Sequence, residues 1–510
     1  MFRLFKQYNA PAPYDGIISA EDASTQGLDP VEVAGTLKLH AIRADSIRRG
    51  LPFVSCLDII LSLSAFLAII VSPISPIENL TSHKWRVHLE QLAAFNMLDS
   101  SVSKNEIHYY SRYFAVPKTD NTARAIINMR MLSKLLRAPD PVNLAEISQI
   151  LDRVLGPYWI TADWRHYFHQ FGVAPGVQRY FGIQCAEKVW VYKTLPMGLS
   201  WSPRIAQATG WSIILEAAFR ARLLDPKDFS HMHNPPAYVD RNGIFITLWY
   251  DNLLMTCQKA ADRDLLLTKL KEVCACDTGY NCFFKHLACH NLDHIGPKSK
   301  SKPKYLGLEF CTIENKRERD GRPTRTLQWR HATDRIKRWE DLREVRKMYS
   351  PRLVARAVGI ILWNATIGLI PFCEEEQAIN LLRTAGHNAR DFGKGGWDKL
   401  TDCWNTDDIS HAIEKVKSLL DNNPWHSRTI FPIRDEVWAA SDASGTIGYG
   451  GVRLSGSDQG VEILKGRWCD EGTRNLQDAH IYIQEFYAAT RTIEILCKGT
   501  SQHGAYYIVP

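Results

Sequence analysis

Short runs of β-branched and aromatic residues, separated by segments with helical spacing, fill the region from residue 106 to about residue 312. The runs are YYSRYFAVPK, RAIINM, YWITADW, KVWVYKTL, GIFITLWYDNLLM and KYLGLEF. Alternation of this kind predicts an α+β domain built around a sheet. The chain has 510 residues, more than one hydrophobic core normally organises, so we expect about two to four domains.

The rest of the chain differs from this central region. Residues 1–105 have mixed helical patterns and no nameable chemistry, and we interpret them as an N-terminal helical extension. Residues 313–430 are predicted to be mainly helical. From Glu436 a strand–turn–strand pattern returns, followed by a helical segment and by the apolar run AYYIVP at residues 505–510. Because the sequence stops inside that predicted strand, we interpret it as a fragment.

Positive charge is concentrated in one segment. Residues 316–356 contain fourteen Lys or Arg and six Asp or Glu, a net charge of +8, whereas the whole chain has a formal net charge of +7. A basic stripe is typical of a protein that binds a polyanion, although a solvated helix face would have the same composition. Residues 296–304, GPKSKSKPK, form a second basic segment, which we predict to be a loop facing backbone phosphates or solvent.

The cysteine content and the hydropathy indicate an intracellular protein, cytoplasmic or nuclear and not secreted. Twelve cysteines have no disulfide-framework spacing, which is typical of free thiols in a reducing compartment. The first residues, MFRLFKQYNAPAPYDG, lack the apolar core of a signal peptide. Residues 59–71, IILSLSAFLAIIV, are fewer than the roughly 20 that span a bilayer, so we predict a buried helix and no membrane association.

Two aspartates stand out within apolar β runs. Asp163 ends the run YWITAD, and Asp251 lies inside the run IFITLWYDNLLM. An unpaired buried carboxylate is costly, so a carboxylate in such a place marks either a functional site or a cap or turn residue. Enzymes that transfer nucleotides hold two divalent metal ions between carboxylates. Two aspartates on adjacent strand ends would satisfy that need.

Residues 113–310 resemble retroelement reverse transcriptases, motif by motif and in order. The segments that carry the resemblance are FAVPK at 114–118, RAIIN at 124–128, Asp163 followed by Phe168, LPMGLSWSPR at 195–204, WYDN at 249–252, NCFFK at 281–285 and YLG at 305–307. The resemblance implies a right-hand polymerase, with fingers and palm at residues 106–312 and thumb and connection at residues 313–430. It also implies RNA-directed DNA polymerase activity within the polyprotein of an LTR-like or tyrosine-recombinase-type retrotransposon.

The same resemblance assigns roles to particular residues. Two Mg²⁺ ions, with Mn²⁺ as a substitute, would be bound by Asp163 and Asp251, with Asn252 as a further oxygen ligand. Lys285 would protonate the departing pyrophosphate. The deoxynucleoside triphosphate would be contacted by Lys118, Arg124, Phe168, Met197 and Gly198. Phe168 would exclude a 2′ hydroxyl. A primer on an RNA or DNA template would be the other partner, and the sequence leaves the oligomeric state open.

The chain departs from the family pattern at three positions. In the YxDD box, Trp249 replaces the leading tyrosine and Asn252 replaces the second aspartate, and Asn128 stands where an aspartate is usual in the fingers. These changes leave open a catalytically decayed remnant that binds nucleic acid only. A viral RNA-dependent RNA polymerase is a further alternative, which Phe168 disfavours. Asp240, in YVDR, is a rival for the box, but the Asn-Gly pair that follows predicts a hairpin turn, so Asp251 is preferred.

Residues 436–510 resemble a ribonuclease H domain that is cut short. AASDASGTIGYGGV at 439–452 resembles its opening strand, with Asp442 as a catalytic and metal-binding residue. IQEFYAA at 483–489 resembles the helix that carries a catalytic, metal-binding glutamate, here Glu485. The resemblance implies a two-metal hydrolysis that needs further carboxylates, so we expect little RNA cleavage from this sequence.

A dense group of cysteines and histidines occupies residues 274–294. Its members are Cys274, Cys276, Cys282, His286, Cys289, His290 and His294. Zinc sites favour a C-x₂₋₄-C pair followed by a regular second half, and these spacings match no such arrangement. A zinc site is therefore the less favoured interpretation.

Overall fold

The chain forms a mixture of helices and sheets, as the sequence predicts. The computed structural model describes residues 23–74, 80–118, 122–154, 156–315, 324–337, 339–343, 349–368, 375–391, 399–400, 406–430, 437–444, 448–455 and 461–467, together with Gln484, Tyr487 and Ala488. The chain divides into two compact units, residues 1–429 and residues 430–510.

The described residues contain seventeen strands, numbered here in chain order. They are β1 Leu98–Asp99, β2 Arg112–Pro117, β3 Ala123–Asn128, β4 Tyr158–Trp164, β5 Gly182–Cys185, β6 Lys188–Tyr192, β7 Tyr238–Arg241, β8 Ile244–Trp249, β9 Asn252–Cys257, β10 Phe284–Asn291, β11 Lys304–Tyr305, β12 Leu308–Asn315, β13 Thr324–His331, β14 His426–Ile430, β15 Val437–Ser444, β16 Gly448–Ser455 and β17 Val461–Arg467. The β-rich runs between residues 106 and 312 thus form strands, and two of the runs form two strands each: GIFITLWYDNLLM forms β8 and β9, and KYLGLEF contains β11 and the start of β12.

Thirteen α-helices lie in the same described ranges. They are α1 Leu39–Arg48, α2 Asp58–Leu61, α3 Leu63–Leu67, α4 Arg86–Ala94, α5 Arg130–Leu135, α6 Ile147–Arg153, α7 Pro175–Gln178, α8 Ser202–Arg220, α9 Ala260–Cys274, α10 Thr333–Lys337, α11 Pro351–Gly368, α12 Glu375–Asp391 and α13 Thr406–Asn422. A short 3-10 helix, Tyr167–Gln170, follows β4 and is important for the site.

A five-stranded antiparallel sheet forms the centre of the first unit, with strand order β10-β4-β9-β8-β7. Strands β4, β8 and β9 are buried along most of their length, which explains why their sequences are continuous apolar runs rather than alternating ones. Helix α8 packs against β8 and is itself buried almost throughout, with apolar residues on all sides and a few buried polar ones, including Arg204, Gln207 and Glu216.

Glycine allows α8 to approach the sheet closely. A Cβ atom on Gly210 would lie 2.6 Å from Cδ2 of Leu248 on β8 and 3.1 Å from the hydroxyl of Tyr167. A side chain at this position would therefore require Leu248, Tyr167 or the helix itself to shift.

The remaining strands form smaller sheets. Strands β2 and β3 make an antiparallel hairpin, β1-β6-β5 make a three-stranded sheet, and β11-β12-β13-β14 make a four-stranded sheet. In the second unit, β15, β16 and β17 are antiparallel neighbours in that order. This pairing agrees with the strand–turn–strand pattern predicted from Glu436 onward.

Residues before 105 share the core of the central sheet. Leu57, Phe53 and Leu89 belong to the same hydrophobic cluster as Trp164 on β4 and Ile246 on β8. Backbone hydrogen bonds add to this packing, for example from Lys38 N to the carbonyl of Tyr280 at 2.9 Å. In the described part of the chain, this segment is therefore an integral layer of the first unit.

The apolar stretch at residues 59–71 does not form the single buried helix that we predicted. Ser62 is extended, with φ −137° and ψ 125°, and separates α2 from α3. Ile60 and Phe66 are fully buried, but Leu63 and Leu67 are 40% and 43% exposed. No helix among the described residues has the length and apolar composition needed to cross a bilayer.

The region 313–430 is mainly helical, with strands at its edges. Helices α11, α12 and α13 share a second hydrophobic cluster with Trp339 and Leu342, whereas β13 and β14 join the four-stranded sheet. Trp329 and Tyr349 are buried, as expected of packing residues. Much of the basic segment, residues 316–323, 338 and 344–348, lies outside the described residues.

Candidate functional site

The central sheet places Asp163 and Asp251 next to each other. Asp163, near the end of β4, has Asn252 as its Cα partner at the start of β9. Asp251 precedes that partner, and its carbonyl accepts a hydrogen bond from the backbone of Trp164 at 3.1 Å. Two aspartates that are 88 positions apart in the sequence thus come together where the neighbouring strands β4 and β9 meet, at one end of these strands.

Asp251 lies in a tight turn and not inside a strand. Trp249 on β8 pairs with Asn252 on β9, which leaves Tyr250 and Asp251 as the two turn residues. Tyr250 has φ +54°, a left-handed conformation that is unusual for a bulky side chain. The apolar run that contains Asp251 in the sequence thus forms two strands, β8 and β9, joined by a turn at this carboxylate.

Gln207 of α8 stabilises this turn with two hydrogen bonds. Its side-chain nitrogen donates to the carbonyl of Leu248 at 2.8 Å, and its side-chain oxygen accepts from the backbone N–H of Tyr250 at 2.9 Å. Gln207 is fully buried. Sequence reasoning missed this residue, although a glutamine inside an otherwise apolar helix is a signal of a specific buried hydrogen bond.

Both carboxyl groups have pKa values raised above those of a free aspartate. Burial raises the pKa of Asp251 to about 6, and the nearby charge of Asp163 contributes in the same direction. Burial also raises the pKa of Asp163, while Lys285 and then His286 act to lower it. Paired carboxylates of this kind are stabilised by a proton or by a cation between them.

This donor set suits a hard divalent cation. Mg²⁺ prefers oxygen ligands and uses few protein carboxylates, taking its other ligands from water and substrate phosphates. Asp163 and Asp251 supply two carboxylates, and the described residues contain no group of three or more His, Cys, Asp or Glu suited to a metal ion. The site therefore fits a metal that shares its coordination with a substrate.

Asn252 contacts Asp251 through its amide nitrogen. Its Nδ2 donates to Oδ1 of Asp251 at 3.0 Å. We predicted that the amide oxygen of Asn252 would act as a metal ligand. The hydrogen bond occupies the amide nitrogen and orients one carboxylate oxygen of Asp251, so the role of the amide oxygen as a metal ligand stays a prediction.

Lys285 is placed beside Asp163 by a β-bulge. On β10, Phe284 pairs with Trp164 and His286 pairs with Asp163, so Lys285 is the extra residue between two paired ones. Its Nζ lies 3.8 Å from Oδ2 of Asp163, and its side chain is 70% exposed. Bulges redirect side chains next to functional sites, and this one turns a lysine toward the carboxylates.

Phe168 lies on the 3-10 helix that follows β4 and is half-buried. Its neighbour Tyr167 donates to the carbonyl of Ala206 at 3.0 Å and stacks on Trp164 with a centroid distance of 4.9 Å. Gln170 ties the same helix to β10 by donating to the carbonyl of Phe283 at 2.9 Å. Phe168 is thus held on a rigid turn five positions after Asp163.

The β2–β3 hairpin provides the two cations predicted for nucleotide binding. Lys118 follows β2 and forms an ion pair with Asp29. Arg124 lies on β3, and its positive charge contributes to lowering the pKa of Asp251, against the larger effect of burial. Arg124 therefore acts electrostatically on the same site as the carboxylates.

The loop with the sequence LPMG, residues 195–198, packs against the β2–β3 hairpin. A Cβ atom on Gly198 would lie 2.0 Å from the carbonyl oxygen of Ile127 on β3, so only glycine fits. Met197, beside it, is half-buried. Arg204, from the same motif, is buried and binds Asn234 Oδ1 at 2.6 Å and the carboxylate of Asp140 at 3.2 Å. Its contacts are structural.

The rival carboxylate lies elsewhere, and of the cysteine–histidine group only His286 is the Cα partner of Asp163. Asp240 is on edge strand β7 and pairs with Arg153 at 3.3 Å, at the end of β8 opposite to Asp251. Cys274 and Cys282 are buried, Cys276 and Cys289 are exposed, and His290 hydrogen-bonds Thr161. These contacts do not bring the group together around one point in the described structure.

The predicted nuclease residues belong to the second unit. Asp442 lies on β15, with Gly450 of β16 as its Cα partner. Glu485 lies outside the described residues, although its neighbours Gln484, Tyr487 and Ala488 are helical. The ring of Tyr487 contacts Tyr449 of β16 at a centroid distance of 5.2 Å.

Comparison with known proteins gives distant similarities only. No family model and no curated protein matches the chain. One similar solved structure is the foamy viral protease-reverse transcriptase dRH in complex with double-stranded DNA, at 12% identity and a TM-score of 0.46, covering 84% of this chain and 64% of that one. Another is the foamy viral protease-reverse transcriptase in complex with an RNA/DNA hybrid, at 13% identity and a TM-score of 0.48, covering 84% and 49%. The chain spans about half to two thirds of the length of these proteins. Function must be inferred from the site itself.

Proposed function

We propose that this chain is the reverse transcriptase of a retrotransposon, an RNA-directed DNA polymerase that adds deoxynucleotides to a primer 3′ end. The observation that carries the proposal is the meeting of Asp163 and Asp251 at one edge of an antiparallel sheet, beside Lys285. Two-metal nucleotidyl transfer requires this kind of carboxylate pair. The sequence motifs supply the same assignment independently.

Asp163 and Asp251 would hold Mg²⁺, or Mn²⁺ in its place. When bound, two such ions supply the positive charge that activates the primer hydroxyl and stabilises the leaving oxygen. Burial and mutual repulsion make these carboxylates costly to keep ionised without a cation, which favours metal binding. Asn252 orients Asp251 by its hydrogen bond of 3.0 Å. Lys285, whose Nζ lies 3.8 Å from Oδ2 of Asp163, would donate a proton to departing pyrophosphate.

The surrounding residues would bind the nucleotide and select its sugar. Lys118 and Arg124 would neutralise the triphosphate. Phe168, fixed on its 3-10 helix, would leave no room for a 2′ hydroxyl. Met197 and Gly198 would position the base pair, since the loop that carries them is packed on β3. The substrates would be deoxynucleoside triphosphates and a primer on an RNA or DNA template.

The domain assignments belong to the same proposal. Residues 106–312 would be fingers and palm, residues 313–430 thumb and connection, and residues 436–510 a partial ribonuclease H domain with Asp442 and Glu485 as two of its metal ligands. Basic residues near the thumb would contact backbone phosphates, which makes template binding salt-dependent.

Primer extension on an RNA template tests the proposal. The wild-type chain should extend a DNA primer with deoxynucleotides in Mg²⁺ or Mn²⁺, and Asp163→Ala should abolish extension because one of the two carboxylates is lost. Extension that survives Asp163→Ala would show that the site is wrongly assigned. Incorporation of ribonucleotides in preference to deoxynucleotides would identify an RNA polymerase instead.

A nucleic-acid-binding remnant is the second candidate, because Asn252 removes one negative charge from the site. This candidate predicts salt-dependent binding of primer–template without extension in either metal. Asn252→Asp then provides the matched test. Extension that appears only in this variant would identify the wild-type chain as decayed, whereas extension by the wild type excludes a remnant.

A further inference from the structure

Arg165 and His166 lie between β4 and the 3-10 helix, and three cationic side chains act electrostatically on His166. Burial is the first cause that lowers the pKa of His166, and the charges of Lys118, Arg165 and Lys285 act in the same direction. His166 has φ +45°, so the chain turns sharply here, directly after Asp163 and Trp164. Cations grouped beside two carboxylates form a place where a polyanion and its metal can bind together.

A segment from the N-terminal region runs along this cationic group. We call residues 27–37, GLDPVEVAGTL, the strap. At one end, the carbonyl of Gly27 accepts a hydrogen bond from Ala123 N, at the start of β3, at 2.9 Å. At the other end, Gly35 N donates to the carbonyl of His169 at 2.8 Å. The strap therefore connects the β2–β3 hairpin to the helix that carries Phe168.

Apolar side chains anchor the strap, and acidic ones face the site. Leu28, Val31 and Val33 are buried in the core of the first unit. Between them, Asp29 forms an ion pair with Lys118, in which both side chains are largely buried, at 29% and 25% exposure. Glu32 approaches Arg165 at 3.4 Å and is more exposed. The anchoring does not depend on the two carboxylates, which are available for exchange with another anion.

We propose that Asp29 sets the affinity of this site for polyphosphate by competing with it for Lys118, with Glu32 acting in the same way on Arg165. The inference rests on the proposed function, because the polyphosphate would be the triphosphate of an incoming nucleotide. A triphosphate has more negative charge than one carboxylate, so it displaces Asp29 when a metal-bound nucleotide arrives. In the empty site, Asp29 and Glu32 reduce repulsion among the cations.

Competition by Asp29 and simple support of Lys118 by Asp29 predict opposite changes in polyphosphate affinity when Asp29 is removed. If Asp29 competes, its removal frees Lys118 and strengthens polyphosphate binding. If Asp29 instead holds Lys118 in the binding position, its removal weakens binding. Asp29→Asn retains the size of the side chain and removes its charge, so it separates the two.

The experiment is calorimetric titration of the full chain with inorganic tripolyphosphate and, separately, with dTTP and Mg²⁺. Asp29→Asn should bind both about fivefold more tightly than the wild type, the effect expected for releasing a partly buried ion pair. Glu32→Gln should show a smaller gain, because its pair is more exposed. Unchanged or weaker binding by Asp29→Asn overturns the proposal, as does an absence of measurable binding in every variant.

Asp240→Asn is the matched control. Asp240 also pairs with an arginine, Arg153, at comparable exposures of 37% and 32%, and removal of its charge changes the net charge equally. Its affinity for tripolyphosphate should equal that of the wild type, and an equal gain would show a nonspecific charge effect and defeat the proposal. If Asp29→Asn proves unstable, Glu32→Gln alone decides by the sign of its change.

Primer extension by the same preparations separates this inference from the proposed function. If the wild type extends primers and Asp29→Asn shows no gain in affinity for tripolyphosphate, the role proposed for the strap is wrong and the polymerase proposal stands. Tighter tripolyphosphate binding by Asp29→Asn without extension in any variant refutes the polymerase and leaves an anion site controlled by the strap.

Discussion

The two turns at the ends of β8 have the same length and opposite character. At one end, Asn242 and Gly243 join β7 to β8, with φ of +54° and +74°. At the other end, Tyr250 and Asp251 join β8 to β9, and Tyr250 also has a positive φ. Asn-Gly is the pair that such a turn prefers, whereas a tyrosine followed by a half-buried aspartate is not.

The two turns differ in how well their residues match the backbone conformation that a hairpin turn requires. The first turn has the residues that such a turn prefers and is exposed, with one side-chain hydrogen bond from Asn242 to the carbonyl of Leu223 at 3.1 Å. The second depends on Gln207, which lies 43 positions earlier in the sequence and bonds both Leu248 and Tyr250. Distant support for a locally unfavourable turn is characteristic of a functional site, where the position of one carboxylate outweighs backbone preference.

The largest expected effect is a difference in primer extension between substitutions of the aspartates at the two turns. Asp251→Asn should reduce primer extension by about a thousandfold, because a metal-binding charge worth several kcal/mol to the transition state is lost. Asp240→Asn, next to the first turn, should retain wild-type activity within about twofold, since Asp240 pairs only with Arg153 among its described contacts. Steady-state extension assays measure both. Equal losses would mean that the two ends of β8 are not functionally different.

A smaller effect should be visible in the pH dependence of stability. The pKa of Asp251 is raised from 3.8 to about 6 in the folded protein, so the folded state binds more protons than the unfolded chain between these values. Its contribution to stability is therefore full below about pH 4 and is lost as the pH rises through about 6, by on the order of 2 kcal/mol.

Denaturant unfolding of Asp251→Asn without metal checks this sign. The variant lacks the titrating carboxyl, so its free energy of unfolding relative to wild type should increase between pH 4 and pH 7 by about 2 kcal/mol. Added Mg²⁺ should stabilise the wild type more than the variant. Parallel pH profiles for the two proteins would contradict the burial and repulsion assigned to this carboxylate.

The smallest effect concerns the first turn alone. Gly243→Ala should lower the free energy of unfolding by about 1 kcal/mol, because Gly243 has φ +74° and an added Cβ would lie 3.1 Å from Cγ of Gln258. Primer extension should be unchanged. Gly296→Ala, where a Cβ would meet open space, is the control and should leave stability within a few tenths of a kcal/mol. A loss of primer extension in Gly243→Ala would show that the first turn also affects activity.

Several elements could be predicted from local sequence. The Asn-Gly hairpin, strand β4 ending near Asp163, and the strand–turn–strand pattern after Glu436 follow from turn chemistry and from β-rich runs. The helix predicted at residues 59–71 was wrong, because a uniformly apolar run does not specify where it bends or which side chains are covered.

Site details that depend on neighbouring strands could not be predicted. The bulge that turns Lys285 toward Asp163 exists only in the pairing of β10 with β4. The ion pair between Asp29 and Lys118 joins positions 89 apart. Local propensity has no information about either, because both arise from the register of strands that meet during folding.

The sequence by itself determined which residues are candidates for the site: two aspartates in apolar surroundings, a lysine, and an aromatic residue five positions after the first aspartate. Only the tertiary structure decided that Asp163 and Asp251 share one edge of a sheet and that Asn252 contacts a carboxylate with its nitrogen. The physical reason is that composition and periodicity fix which side chains prefer burial, whereas strand register and helix packing fix which of the buried groups meet.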